Sequence, residues 1–275
     1  HSHRFAADSP LGRLAGALVR GEAALALQCL ADGGEALTHI EAPETGLSPA
    51  EFDLLAAGYA PYRAALAAWR GDVSGLAPLF AAFASYRVLC ATRRGERGVE
   101  AINERLAACW RPLGSRSRPD LPFAGQPLMI LENDPVTRLY NGDIGLALED
   151  AEGLAVFFPE PGGGYRRLAP SRLPRWETAF ALTVHKSQGS EFDAVALVLP
   201  TRDGPLLTRE LVYTGVTRAR QRVRLFASTD CFRLALARQV RREGGLAARL
   251  HECALPCESM SDSRGAFPSR AGGGF

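Results

Sequence analysis

The sequence predicts an α/β fold: a parallel sheet covered by helices on both faces, carrying a small β-rich insertion. Three observations lead there. The segment from Thr178 to Pro200 reads as two apolar runs, Ala179 to Val184 and Ala194 to Leu199, around a polar loop holding Gly189, and strands without polar alternation are those buried on both faces. Tyr86 to Ala91, then Thr92-Arg-Arg-Gly95, then a stretch with Val99, Ile102, Leu106 and Cys109 on one side is strand, loop and helix, half of a βαβ unit. Between Pro127 and Leu168 the pattern changes to four short strands separated by Asn133-Asp-Pro, Asn141-Gly-Asp, Asp150-Ala-Glu-Gly and Pro161-Gly-Gly-Gly. Short strands joined by such turns predict a small barrel of SH3-like size.

Taken in order, the chain opens on a helical spacing of Leu11, Leu14, Ala15, Leu18 and Val19, with Ser9 as N-cap and Pro10 in the first turn. Arg4 then lies in a short loop just before a helix. A second helix is expected from Glu22 to Leu30, ended by Asp32-Gly-Gly. Ser48-Pro-Ala-Glu51 is a capping box, followed by Phe52, Leu55, Tyr59, Tyr62, Leu66 and Trp69 at helical spacing; Gly58 and Pro61 are expected to kink or split that helix. Ser74 to Ala84 is a further helix. Arg111 to Pro122, rich in Pro, Arg and Ser, marks a boundary. After the central stretch come a helix from Leu206 to Ala219, a strand from Arg222 to Ser228 and a helix from Cys231 to Arg241. The expected division is residues 1–120 and 176–250 as two parts of one α/β lobe, 121–175 as the insertion and 251–275 as a disordered tail.

The chain has 275 residues and 47% hydrophobic content, enough for a substantial core. No apolar run approaches the ~20 residues that cross a bilayer, and a cytoplasmic location is expected. The start at His1 without a methionine is expected of a fragment or processed piece. A net charge of +2 is too small a field to indicate nucleic acid by itself, but Thr201 to Gly245 carries ten arginines against Asp203, Glu210, Asp230 and Glu243. That block is either a phosphate-facing surface or solvated helix. Six cysteines stand without a C-x-x-C pair and read as reduced core residues; Cys253 and Cys257 near His251 are a weak metal candidate.

His185, Lys186, Ser187, Gln188, Ser190, Glu191 and Asp193 crowd around Gly189. At the edge of an open α/β sheet such a loop suits a ligand, and glycine lets backbone approach it; an ordinary polar turn between core strands is the competing reading. Three islands together decide more. Ser2-His-Arg-Phe5, Ala181-Leu-Thr-Val-His-Lys-Ser-Gln-Gly-Ser-Glu-Phe-Asp193 and Leu211-Val-Tyr-Thr-Gly-Val-Thr-Arg-Ala-Arg220 resemble motifs IV, V and VI of superfamily 1 helicases. The wording of the second, with Asn141-Gly-Asp-Ile-Gly145, narrows the resemblance to the RecD family, the alpha subunits of exodeoxyribonuclease V (RecBCD). The similarity runs from Ser2 to about Leu250.

That resemblance implies a RecA-like second motor lobe (2A) with an inserted SH3-like 2B barrel, working on ATP with Mg2+ and on single-stranded DNA, moving 5′ to 3′. It implies that Arg4 and Arg218 reach the γ-phosphate, where permanently charged, forked guanidinium groups suit phosphate oxygens. Gly189 and Glu191 match positions on the ribose and metal side of the nucleotide. Thr183, His185 and Ser187 match positions facing the DNA backbone, where neutral donors hold phosphates without reading sequence. Lys186, the only lysine, either joins them or faces solvent. His3 departs from the aromatic usual at its position. No G-x-x-x-x-G-K-[ST] and no Walker B Asp-Glu pair occur, so ATP and Mg2+ would be held mainly by a missing N-terminal lobe and this chain alone is expected to be inactive. The leading expectation is the C-terminal motor half of a helicase subunit acting in double-strand break repair with RecB-like and RecC-like partners. The alternatives are a stand-alone RecD-like helicase and a catalytically inactive DNA-binding scaffold.

Overall fold

The computed structural model describes residues 5–42, 46–111 and 121–239. Ser9 accepts a hydrogen bond from the Gly12 amide and Pro10 takes the first helical turn of α1 (Pro10–Arg20), which ends on left-handed Gly21. α2 (Ala23–Asp32) follows, then a strand that periodicity did not announce, β1 (Leu37–Glu41). The capping box at Ser48 and Glu51 forms as expected and starts α3 (Pro49–Ala57). Of the expected kink or split the chain takes the split: Gly58 closes α3 and α4 (Ala60–Ala68) begins afresh. Then come α5 (Leu76–Ala84), β2 (Tyr86–Cys90) and α6 (Val99–Trp110). Four short strands follow, β3 (Pro127–Ile130), β4 (Ile144–Asp150), β5 (Gly153–Pro159) and β6 (Tyr165–Leu168), with β7 (Trp176–Thr178) after them. The chain finishes with β8 (Ala181–Thr183), β9 (Phe192–Val198), α7 (Arg209–Val216), β10 (Ala219–Ala227) and α8 (Thr229–Ala237). α7 is shorter than the pattern suggested because Thr208 caps it and Ala219 already belongs to β10.

Five strands form a parallel sheet in the order β1-β10-β9-β2-β8. Alternation along them sends Leu89, Leu182, Val195, Leu197, Val223 and Leu225 into a core shared with α1, α2, α7 and α8. Val88, Cys90, Ala181, Ala196, Val198 and Phe226 enter a second core with α3, α4, α5 and α6. Helices thus cover both faces, which is why these strands are apolar throughout. This is the RecA-like motor-lobe architecture that the resemblance implied. The other five strands form an antiparallel sheet, β6-β5-β4-β3-β7. One face of it, with Leu146, Leu148, Ala155 and Phe157, closes the second core, and the other holds a core of its own with Leu128, Ile130, Val156 and Phe158.

Ala179 and Phe180, read in the sequence as strand, instead carry the chain from one sheet to the other. Asn103 on α6 splices this passage. Its Nδ2 donates to the carbonyls of Thr178 (2.7 Å) and Ala181 (3.0 Å), and its Oδ1 accepts from the Ala181 amide at 2.7 Å. A second tie is Arg97, buried before α6. It donates to the carbonyls of Leu199 and Phe226 just past or at the ends of β9 and β10, and to Glu51 at 2.9 Å. The expected tail, 251–275, lies outside the described residues.

Candidate functional site

Thr183 is the last residue of β8, at the carboxyl edge of the parallel sheet. The Val184 amide still bonds the Cys90 carbonyl, and then the chain turns: amides of Ser187, Gln188 and Ser190 donate to the carbonyls of Thr183, His185 and Ser187. Thr183 Oγ1 accepts from the Lys186 amide at 3.2 Å. Ser187 is fully buried and its hydroxyl donates to the Val184 carbonyl at 2.7 Å, so that hydroxyl closes the turn rather than facing solvent. Gly189 has φ +85° with open space where a Cβ would stand. The backbone conformation, not crowding, asks for glycine here.

The loop does not stay at the edge where it starts. Thr183 and Val198 both pair with Cys90, whereas β9 resumes at Phe192, whose partner is Ala219. Residues 184–191 therefore return along the sheet to its amino edge by about 20 Å, six residues of strand rise. Parallel crossovers normally need a dozen residues or more; this one makes do with eight. The loop expected at a sheet edge thus starts at the carboxyl edge and ends at the amino edge.

At the amino edge the loop meets the turn between α7 and β10. The Phe192 amide donates to the Arg218 carbonyl at 2.9 Å, and Arg218 Nη1 donates to the Ser190 carbonyl at 3.3 Å. Arg218 Nε reaches back to the Thr214 carbonyl at 3.3 Å, steadying a half-buried guanidinium. Glu191 accepts from Arg220 Nε at 3.2 Å, and Asp193 lies 3.7 Å from Arg220 Nη1. Gly189, Glu191 and Arg218 are brought together. Thr183 and exposed His185 stand apart from them, at the opposite end of the same loop.

Arg4 lies outside the described residues. Phe5, next to it in the chain, packs against the core that includes Leu211 and Val216, and α1 lies against α7. Among the described residues no group of three or more His, Cys, Asp or Glu is placed to hold a metal ion. His251, Cys253 and Cys257 are outside the described residues. Burial pushes the Cys90 thiol up to about 12, which leaves it a core residue rather than a nucleophile.

Sequence reading missed two contributors, one at the carboxyl edge and one at the start of β8. Glu177 on β7 accepts Lys186 Nζ at 2.7 Å and Arg93 Nη2 at 2.9 Å. Asn103 fixes the passage that follows Glu177. Neither belongs to a motif, since each acts through partners distant in sequence.

Comparisons with known proteins show what the chain is similar to. Residues 178–226 match the UvrD-like helicase C-terminal domain. The chain is 39% identical over 254 residues to the RecBCD enzyme subunit RecD of Mycolicibacterium smegmatis, covering 90% of this chain and 42% of that protein. It is 43% identical over 173 residues to RecD of Haemophilus influenzae, covering 62% of this chain and 26% of the relative. Over 157 residues it is 36% identical to the ATP-dependent RecD2 DNA helicase of Deinococcus radiodurans, covering 56% and 21%. The chain thus spans less than half the length of each of these relatives. Among solved structures, Pif1 helicase from Bacteroides in complex with ADP-AlF3 and ssDNA is 18% identical with a TM-score of 0.38, covering 79% of this chain and 56% of that one. The RecD-type resemblance read from the motifs is borne out across most of the sequence.

Proposed function

We propose, from this kinship with RecD subunits, that the chain is the second motor lobe of an ATP-dependent DNA helicase of the RecD type. One observation carries the reading: Arg218 is bonded to both ends of the Ser190–Phe192 segment, so the guanidinium of one motif is positioned by the loop of the other. Arg218, with Arg4, acts as an arginine finger on a triphosphate whose other contacts come from a preceding lobe. A guanidinium stays charged and forks onto phosphate oxygens, neutralising charge as the bond to the leaving phosphate breaks. Gly189 allows close approach of backbone on the nucleotide side, and Glu191, held by Arg220, faces the ribose and metal side. Thr183 and His185 hold the phosphodiester backbone of single-stranded DNA at the carboxyl edge, and Ser187 shapes the turn that presents them. The antiparallel sheet reads as an SH3-like 2B unit guiding the strand, a reading supported by its β3-β4-β5-β6 meander and the return of β7 beside β3.

In the protein carrying both lobes, Arg218→Ala should lower DNA-stimulated ATPase by roughly 10³- to 10⁵-fold while single-strand binding persists. Normal turnover in that variant would refute the assignment. The motor is proposed to move 5′ to 3′ in the cytoplasm within a RecBCD-type helicase and nuclease acting on double-strand breaks. The similarity to the Deinococcus RecD2 helicase favours a second reading, a helicase without nuclease partners. Co-purification with RecB-like and RecC-like chains separates the two.

A further inference from the structure

At the carboxyl edge, beside Thr183 and His185, two cations from different loops converge on one carboxylate. Lys186 comes from the crossover loop and Arg93 from the loop after β2; Glu177 comes from β7, on the antiparallel sheet. Lys186 Nζ lies 2.7 Å from Glu177 Oε1 and Arg93 Nη2 lies 2.9 Å from Oε2. Each carboxylate oxygen thus takes one cation, the arrangement that the two non-bridging oxygens of a phosphodiester would also take. The backbone at Glu177 is fixed, because Thr178 beside it is bonded by Asn103 and Gln126 and β7 is paired with β3, so only the Glu177 side chain has to turn away. The cations are more open: 53% of the Arg93 side chain and 34% of Lys186 is exposed, against 19% of Glu177. Glu100 holds Arg93 Nε at 2.9 Å and keeps its fork aimed at this spot. Partly exposed pairs of this kind contribute little to folding, so the two cations lose little by exchanging one anion for another.

We propose that Arg93 and Lys186 form a phosphodiester-binding pair for single-stranded DNA, and that Glu177 fills the phosphate position when no strand is present. The inference rests on the reading of this chain as a strand-binding motor lobe and adds to it a site with a built-in competitor. A strand that docks displaces Glu177, and so weakens a link between the antiparallel sheet and two loops of the parallel one.

The test is fluorescence anisotropy of labelled oligothymidylate with the full 275-residue chain, titrated with salt. Arg93→Ala and Lys186→Ala should each weaken binding and reduce the log–log salt slope, and the double variant should reduce it by roughly 0.7, the value for one phosphate contact on a single strand. Glu177→Gln should tighten binding by roughly two- to fivefold, and that gain should vanish in an Arg93→Ala/Lys186→Ala background. Arg93→Lys and Lys186→Arg keep the charge and should keep the slope, which guards against misreading an alanine variant that folds poorly. Strand binding with a slope unchanged in both alanine variants would overturn the pair while leaving the motor reading intact. A gain from Glu177→Gln that persists without the two cations would also overturn it, since it would report only general charge removal. No strand binding by the unaltered chain at low salt would remove both the pair and the reading beneath it.

Discussion

Asn103 uses its whole side-chain amide on the two residues that flank the passage between sheets. Asn103→Ala leaves the Ala181 amide and two carbonyls without that partner in a buried place. The variant should lose about 1–3 kcal/mol of stability in urea unfolding, and Asn103→Asp should not restore it, because a carboxylate cannot donate. The residues of the candidate site divide sharply by how visible they were. Thr183, His185, Gly189, Glu191 and Arg218 stand in two contiguous stretches whose wording alone marks them. Glu177 and Asn103 lie in a three-residue strand and on a polar-looking helix, and their meaning depends on partners that only folding brings near. Ser187 shows the reverse case: legible as a motif residue, it is occupied inside the turn by the Val184 carbonyl.

At the scale of elements, the capping box of α3 does two tasks. One Glu51 oxygen accepts the Ser48 amide and the other accepts Arg97, whose remaining donors reach the strand-end carbonyls of Leu199 and Phe226. Both side chains are almost fully buried, at 4% and 3% exposure. Removing one member of such a pair leaves an uncompensated charge, so Arg97→Ala should cost about 3–5 kcal/mol, read as a lowered denaturant midpoint. The box itself was plain from Ser48-Pro-Ala-Glu51, but Arg97, which completes it, belongs to no motif in the sequence. β2 and β9 were visible because strands covered on both faces are apolar at every position. β1 escaped notice for the opposite reason: it is an edge strand, paired only with β10, and mixes Thr38, His39 and Glu41 with its apolar residues.

The whole molecule carries a pH signature in its second core. Tyr59, Tyr62 and Tyr86 are buried there, and desolvation raises all three phenols, Tyr59 from 10.0 to about 12. Phenols that stay protonated in the folded chain ionise earlier once it unfolds. Their contribution to stability is therefore complete below pH 10 and is lost as pH rises toward the folded values. Thermal unfolding followed at pH 8 and across pH 10 to 12 should show a falling midpoint, with phenolate absorbance rising together with the loss of structure. The parallel sheet that closes this core also carries the crossover from Thr183 to Phe192. Eight residues travel the height of a strand through successive turns, where an extended peptide would reach about 30 Å, so the crossover holds length in reserve. A strain at the Thr183 rim would be taken up by those turns before it reached Arg218 at the other.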